Sequence, residues 1–76
     1  MKQLLTTLAA ALVSEPEHVR VAERSREGKT VLELSVARGD FGRIIGREGR
    51  TSAALRTLLE AVGRRRGQPC ELEIRQ

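Results

Sequence analysis

Two glycines separated by two residues stand in an arginine-rich part of the chain. Gly46 and Gly49 enclose Arg47 and Glu48, and another arginine, Arg50, follows directly. Because glycine has no Cβ, a backbone with glycines on both sides of a short loop can pack closely against another group. Guanidinium groups form charge-assisted hydrogen bonds to phosphate oxygens. These residue types at this spacing indicate a loop that binds an anion such as a phosphate.

The segments on either side of the two glycines are predicted to be helical. Asp40 can cap a short helix that begins at Phe41. A longer helix begins near Arg50 and ends in the cluster Gly63 to Pro69, and its apolar face consists of Thr51, Ala54, Leu55, Leu58, Leu59 and Val62. Its N-terminus, with unpaired N–H groups and the positive end of the helix dipole, favours an anion. A plain turn between helices, the simpler interpretation, needs positive φ and explains only one glycine well.

Apolar residues recur at helical spacing at the start of the chain and alternate in three later stretches. The first set predicts a helix over residues 2–13 and consists of Leu4, Leu5, Leu8 and Leu12. The segments HVRVAER and TVLELSVA predict an antiparallel hairpin with Gly28 in its turn, and CELEIR predicts a final strand. The predicted order is α-β-β-α-α-β, an α+β fold with three helices on one face of a three-stranded sheet.

The length and composition of the chain limit its class. Its 76 residues form one domain, residues 1–76, with a thin core. A single cysteine, Cys70, excludes an internal disulfide and fits a reducing compartment, so we expect a cytoplasmic protein. No apolar run approaches the roughly 20 residues that span a membrane, and the first helix lacks a convincing cleavage site for a signal peptide.

The positive charge of the chain lies in its second half. Residues 1–37 carry five basic and five acidic side chains, whereas residues 38–76 carry nine and five, including eight arginines between Arg38 and Arg66. An excess on one side suggests a polyanionic partner. Phe41 is the only aromatic residue, which excludes modules that stack bases on several exposed rings, such as RRM, cold-shock and typical OB-fold binders.

Other residue patterns give no catalytic or metal site. The spacing of Gly42 and Gly46 does not fit a nucleotide-binding P-loop, and no Lys-Ser or Lys-Thr pair follows. His18 is expected at the surface and Cys70 on the apolar face of the last strand, without partners for a metal. We therefore expect no enzyme, cofactor or metal. Arg64–Arg66 could equally be a solvated helix end or a second phosphate contact.

The segment IIGREGR resembles the core of the KH domain family, an apolar residue followed by Ile-Gly-x-x-Gly. The order of elements is similar to the type II, bacterial version of the KH fold, and the resemblance covers the whole chain with its GxxG loop at residues 46–49. The longer pattern VARGDFGRIIGREGR…ALRTL resembles the small single-KH proteins of the KhpA family.

This resemblance implies a cytoplasmic binder of single-stranded RNA, an RNA chaperone and post-transcriptional regulator. It also implies a homodimer or a complex with a second KH-containing protein, KhpB, and a link to control of the cell envelope and cell length. In this interpretation the loop and the following helix hold phosphates, and Ile44 or Ile45 contacts bases together with strand residues such as Val36. The implied RNA-binding residues are Arg43, Ile44, Ile45, Gly46, Arg47, Glu48, Gly49, Arg50 and Thr51.

Two residues depart from the usual KH pattern. Glu48 places a carboxylate inside the loop, and it would repel a phosphate unless it points away or pairs with an arginine. Ser52 stands where many KH domains have a large aliphatic residue, which would make the base-binding groove shallower. Both departures favour an alternative function: a protein-interaction subunit that dimerises through its KH surface and has little RNA affinity of its own.

Overall fold

Three α-helices and three β-strands follow one another in the predicted order α-β-β-α-α-β. The computed structural model describes all 76 residues, with α1 at Lys2–Leu12, β1 at Arg20–Arg26, β2 at Lys29–Ser35, α2 at Phe41–Ile45, α3 at Arg50–Arg65 and β3 at Cys70–Arg75. Single turns of 3-10 helix lie at Pro16–His18, Arg38–Asp40 and Arg47–Gly49. None of the helices combines the length and the apolar character needed to cross a membrane.

The first two strands form the antiparallel hairpin that their alternating pattern predicts. Arg26 pairs with Lys29 at the end of the ladder, so the turn consists of Glu27 and Gly28 alone. Both turn residues have positive φ, 51° and 79°. Two consecutive left-handed residues match the right-handed twist of the strands that they join, and this is why such turns are common in hairpins.

The third strand completes the sheet by pairing with β2 in parallel, in the order β1-β2-β3. Parallel neighbours cannot be joined by a tight turn, so the chain must cross from one end of the sheet to the other. Here α2 and α3 make that crossover, and Gly46–Gly49 connects the two helices. The loop is therefore fixed at both ends by helices that pack on the sheet.

All three helices pack on one face of the sheet, as predicted. Their apolar side chains meet those of β2 and β3 in a single core of eleven buried residues, Leu5, Ala9, Val19, Leu32, Leu34, Val36, Ile44, Leu55, Leu59, Cys70 and Leu72. Burial of this apolar surface is the main favourable contribution to folding.

The opposite face of the sheet is covered by paired charges instead of helices. Val31 points to this face, because its neighbour Leu32 points into the core, and it is nevertheless fully buried. The charged side chains include Arg24, whose guanidinium lies 2.8 Å from Glu33 and 3.0 Å from Glu73. The other close pairs of this face are Arg26–Glu73 at 2.7 Å, Arg75–Glu33 at 2.8 Å, Arg75–Glu73 at 3.1 Å and Lys29–Glu71 at 3.5 Å. Hydrogen bonds from Arg24 lower the pKa of Glu33, and those from Arg26 lower the pKa of Glu73.

Asp40 connects the first helix to the segment that carries the glycine loop. Sequence analysis predicts that its side chain caps α2, and this is wrong: Asp40 occupies the N-cap position but makes no side-chain hydrogen bond there. Its buried carboxylate instead accepts hydrogen bonds from the Ser14 N–H at 2.9 Å, the Ser14 hydroxyl at 2.8 Å and the Glu15 N–H at 3.0 Å. Ser14 and Glu15 follow the end of α1, and their three donors take the carboxylate that short-range rules assign to the short helix.

These hydrogen bonds set the charge state of Asp40. Those from Ser14, together with the Glu15 N–H and the nearby Arg43 guanidinium, hold the pKa of Asp40 below its ordinary value of 3.8. A carboxylate with a lowered pKa in the folded state adds stability above its unfolded pKa. That contribution is lost as the pH falls below about 3.8.

We expect Asp40→Asn to destabilise the protein at pH 7, because the amide NH₂ would face N–H donors. The melting temperature should fall by at least about 5 °C. Below pH 4, the melting temperature of the variant should also change less with pH than that of the wild type. Some pH dependence remains, because Glu33 and Glu73 also have lowered pKa values. Thermal unfolding followed by circular dichroism from pH 2 to pH 7 measures both effects. Glu60→Gln, an exposed change without an ion pair, is the control, and an unchanged melting temperature for Asp40→Asn would contradict the assignment.

Candidate functional site

Gly46 adopts a backbone conformation that is open only to glycine. Its φ of 78° and ψ of 172° lie in a region that side chains exclude. A Cβ at this position would collide with the Thr51 hydroxyl and would lie 2.8 Å from the Thr51 nitrogen. The chain therefore passes directly against the first turn of α3, and a residue with a side chain cannot take the place of Gly46.

The second half of the loop turns through two left-handed residues. Glu48 has φ 56° and ψ 27°, and Gly49 has φ 74° and ψ 13°. The backbone conformation of Gly46 requires glycine, and the left-handed conformation of Gly49 favours it. The turn therefore accounts for both glycines, and the expectation that a plain turn explains only one of them is wrong. Apart from its neighbours in the chain, no residue has an atom within 4 Å of the place where a Cβ of Gly49 would be. The loop backbone is therefore open to an incoming ligand at Gly49.

The first turn of α3 lies directly after this open backbone. Gly49 is its N-cap residue, and no side chain caps the helix. Within the loop, the Gly49 N–H donates to the Gly46 carbonyl at 3.1 Å, and the Ser52 hydroxyl donates to the Gly49 carbonyl at 3.1 Å. These bonds fix the loop from inside. A helix N-terminus without a side-chain cap keeps its positive end available to an anion.

The three arginines around the loop differ in their partners. Arg43 Nε lies 3.2 Å from the buried Asp40 carboxylate, and Arg50 Nη2 lies 3.2 Å from Glu48 Oε1. Arg47 is exposed and forms no ion pair. Glu48 thus pairs with an arginine, one of the two arrangements that its position in the loop suggests. Arg47 is the arginine of this group that is free to bind an external anion.

The apolar residues before the loop are less accessible than sequence analysis predicts. Ile44 is fully buried in the core, and Val36 is only 8% exposed. Ile44 has no surface that a base could contact, so its implied contact with bases is wrong, and Val36 has almost none. Ile45 is half-buried and remains available. Ser52 is buried and bonded to the loop backbone, so this departure from the KH pattern supports the loop instead of lining an open groove.

A groove between α1 and α3 was not predicted from the sequence. It has a volume of about 420 Å³ and is lined by Leu8, Ala11, Leu12, Arg50, Thr51, Ala54, Leu55 and Leu58. Leu12 and Leu58 are 40% and 41% exposed on it. The helical patterns place all these leucines on apolar faces. The patterns do not show that a groove stays open between the two helices, because that depends on how α1 and α3 pack on the sheet.

The remaining candidate residues lie apart from the loop. Glu15, Glu17 and His18 bring one ligand atom each within 4.8 Å of one another, but all three are exposed, and exposed acidic groups are often close together without a metal. Burial raises the pKa of the Cys70 thiol, which keeps it in the neutral, unreactive form. The arginines of Arg64–Arg66, at the end of α3, are exposed and form no ion pairs.

A GxxG loop between two helices that join parallel strands, preceded by a helix and a further strand, defines a KH domain of the type II arrangement. The family model described as "KhpA/KhpB, KH domain" matches residues 2–74, and the chain belongs to this family. It is a family of KH proteins and not a class of enzymes, in agreement with the sequence-based expectation.

Three relatives named "RNA-binding protein KhpA" show how much of the chain is shared. The protein of Clostridium acetobutylicum is 42% identical, with 97% of this chain and 99% of the relative aligned. The proteins of Chlamydia trachomatis and Aquifex aeolicus are 45% and 40% identical over the same share of this chain and 95% and 94% of their own length. No solved structure matches the chain.

We expect Gly46→Ala to disrupt the loop more than Gly49→Ala does. The first change combines a backbone conformation forbidden to alanine with a collision at Thr51, and it should cost at least about 2 kcal/mol of unfolding free energy. The second places a methyl group in open space in a left-handed conformation and should cost about 1 kcal/mol. Urea unfolding of both variants measures the difference, and equal losses would show that contact with Thr51 does not constrain the loop.

Proposed function

We propose that this protein binds single-stranded RNA through the GxxG loop, Gly46–Gly49, and the first turn of α3. One observation carries the proposal: an open glycine backbone lies at an uncapped helix N-terminus beside Arg47, which has no partner in the protein. The arrangement offers N–H groups, a helix dipole and a guanidinium to one phosphate group. The names of the relatives, which describe RNA-binding proteins, support the choice of polyanion.

The distribution of charge supports the same ligand surface. On the open face of the sheet, Arg24, Arg26, Lys29 and Arg75 are paired with glutamates. Six of the seven exposed arginines without ion pairs lie in the second half of the chain, namely Arg38, Arg47, Arg56 and Arg64–Arg66, and the seventh is Arg20. The second half of the chain, which includes the loop, thus holds most of the arginines that an RNA phosphate can approach without displacing a carboxylate.

We further propose that the protein acts in the cytoplasm as an RNA chaperone and post-transcriptional regulator, together with a KhpB-like partner. One family description covers the KH domains of both KhpA and KhpB, which supports a shared mode of action. A single KH groove holds few nucleotides and so binds weakly. A second RNA-binding site on a partner or on another copy would increase the overall affinity by raising the effective concentration.

The groove between α1 and α3 supports a second candidate function, that of a protein-interaction subunit. It is lined almost entirely by aliphatic side chains, and it leaves Leu12 and Leu58 partly exposed to water. Covering such a surface with an apolar face of another KH chain would be favourable. This function and RNA binding use different surfaces, except that Arg50 and Thr51 border both.

We expect RNA binding to be electrostatic and to favour single strands. The logarithm of the affinity should fall by about 0.7 per phosphate contact for each tenfold rise in salt concentration. An unstructured oligomer should compete better than the same oligomer annealed to its complement, because the duplex keeps its bases stacked inside. Fluorescence anisotropy at several salt concentrations measures both. An affinity independent of salt would exclude the phosphate model, and stronger binding of the duplex would mean that charge alone attracts the RNA.

We expect Arg47→Asp to weaken RNA binding at least roughly tenfold, which corresponds to about 1.4 kcal/mol. The change removes the free guanidinium and adds a carboxylate beside Glu48, where the phosphate has to lie. Since Arg47 is exposed, the unfolding free energy should stay within about 0.5 kcal/mol of the wild type. Lys2→Asp makes the same change of net charge at the start of α1 and serves as the matched control.

The same variant distinguishes the two candidate functions when the size of the particle is also measured. If the loop binds RNA, Arg47→Asp should lose RNA binding and keep its oligomeric state. If the groove is a protein interface, Leu58→Asp should weaken assembly. Sedimentation and anisotropy on both variants provide the comparison. If Arg47→Asp dissociates a dimer and leaves RNA binding unchanged, the protein is an interaction subunit whose interface includes the loop.

A further inference from the structure

The phosphate-binding loop carries an anion of its own. Glu48 is the only acidic residue in residues 41–59, and its Oε1 lies 3.2 Å from Arg50 Nη2. The two side chains are 71% and 77% exposed, so the pair lies on the open side of the loop. A carboxylate at this place meets the same guanidinium that a phosphate would meet when it reaches the N-terminus of α3.

The backbone of the loop brings these two side chains together. Glu48 and Gly49 are both left-handed, so the chain reverses between the carboxylate and the guanidinium, which are two positions apart. The hairpin turn provides an internal comparison. There Glu27 is also left-handed, precedes Gly28 and is followed by a basic residue, yet Glu27 forms no ion pair. The pairing of Glu48 with Arg50 is thus specific to the GxxG loop.

A phosphate cannot use Arg50 fully while Glu48 holds it. Arginine binds phosphate best through two parallel N–H groups, and the carboxylate already occupies the Nη2 side of Arg50. Its negative charge also repels a second anion at the same position. An exposed pair with a single contact is weak, however, so RNA can displace it at a modest loss of affinity.

We propose that Glu48 is an internal competitor of the RNA phosphate for Arg50 and that it sets the affinity of the loop. This inference rests on the proposed function. Glu48 keeps Arg50 neutralised until a strand that is also bound by Arg47 and the loop backbone displaces its carboxylate. A single isolated phosphate group is then bound poorly, and strands that make several contacts at once are favoured. Glu48 therefore makes the loop prefer strands with several contacts to an isolated phosphate group.

Replacement of the carboxylate by an amide of the same shape tests the proposal. Glu48→Gln should bind an unstructured RNA oligomer roughly two- to fivefold more tightly at low salt, a gain in the range of an exposed ion pair. Glu27→Gln is the matched control, since it removes the same charge from the same backbone conformation and should leave RNA affinity nearly unchanged.

A double-mutant cycle with Arg50→Gln separates competition from general repulsion. If Glu48 competes for Arg50, Glu48→Gln gives little gain in the Arg50→Gln background. The same gain in both backgrounds would overturn the proposal, because Glu48 would then act by its charge alone. Weaker RNA binding by Glu48→Gln would also overturn it and would make Glu48 a residue that positions Arg50.

Titration with inorganic phosphate, followed through the amide resonances of residues 46–52, tests the competition without RNA. Glu48→Gln should bind phosphate more tightly than the wild type, and the gain should disappear when Arg50 is also replaced. If this gain is seen while the wild type binds no RNA, the proposed function fails and the competition for Arg50 holds. If phosphate binding is the same with and without the Glu48 carboxylate, the inference is wrong.

Discussion

The close contact between the Gly46 backbone and Thr51 determines how the candidate site is built. Because no Cβ separates them, the loop folds directly onto the first turn of α3 instead of passing around it. The loop backbone, the helix N-terminus and Arg47 are thereby held within one small region. A loop that carried a side chain at this point would stand away from the helix, and the helix dipole and the guanidinium would no longer act on the same anion.

Charge pairing on the sheet complements this local arrangement. The glutamates Glu33 and Glu73 neutralise the arginines of the open face. Individual exposed ion pairs contribute little to stability, but a network with several shared partners can contribute more than isolated pairs do. With the arginines of the sheet face paired, most arginines that lack a carboxylate partner lie in the second half of the chain, among them Arg47 in the loop and Arg56 on α3.

Sequence reasoning located the elements of this fold because each has a strong hydrophobic period. The helix over residues 2–13 is found at Lys2–Leu12, and the two glycines lie between α2 and α3 as the pattern indicates. The role of Asp40 could not be deduced, because its partners Ser14 and Glu15 are distant in the sequence and short-range capping rules point to α2. Tertiary packing overrides a local preference in this case.

The sequence predicts only part of the candidate site, because the rest also depends on tertiary packing. Residue types and spacing indicate the anion-binding loop, since glycine and arginine have specific physical roles. Periodicity does not distinguish an apolar residue at the edge of a groove from one inside the core. The resemblance therefore leaves Ile44 and Ile45 as alternative base contacts, although Ile44 is fully buried and Ile45 is not. The groove between α1 and α3 arises only from the relative placement of two helices, which no local pattern encodes.

The parallel pairing of β2 with β3 also has a consequence for the order of folding events. The hairpin of β1 and β2 closes across two turn residues and can form within microseconds. By contrast, Thr30 finds its partner Cys70 only after the chain between them has come together, and such non-local contacts carry a higher entropic cost of loop closure. The glycine loop lies within that segment. We therefore expect the glycine loop to take its final shape only in the step that adds the third strand.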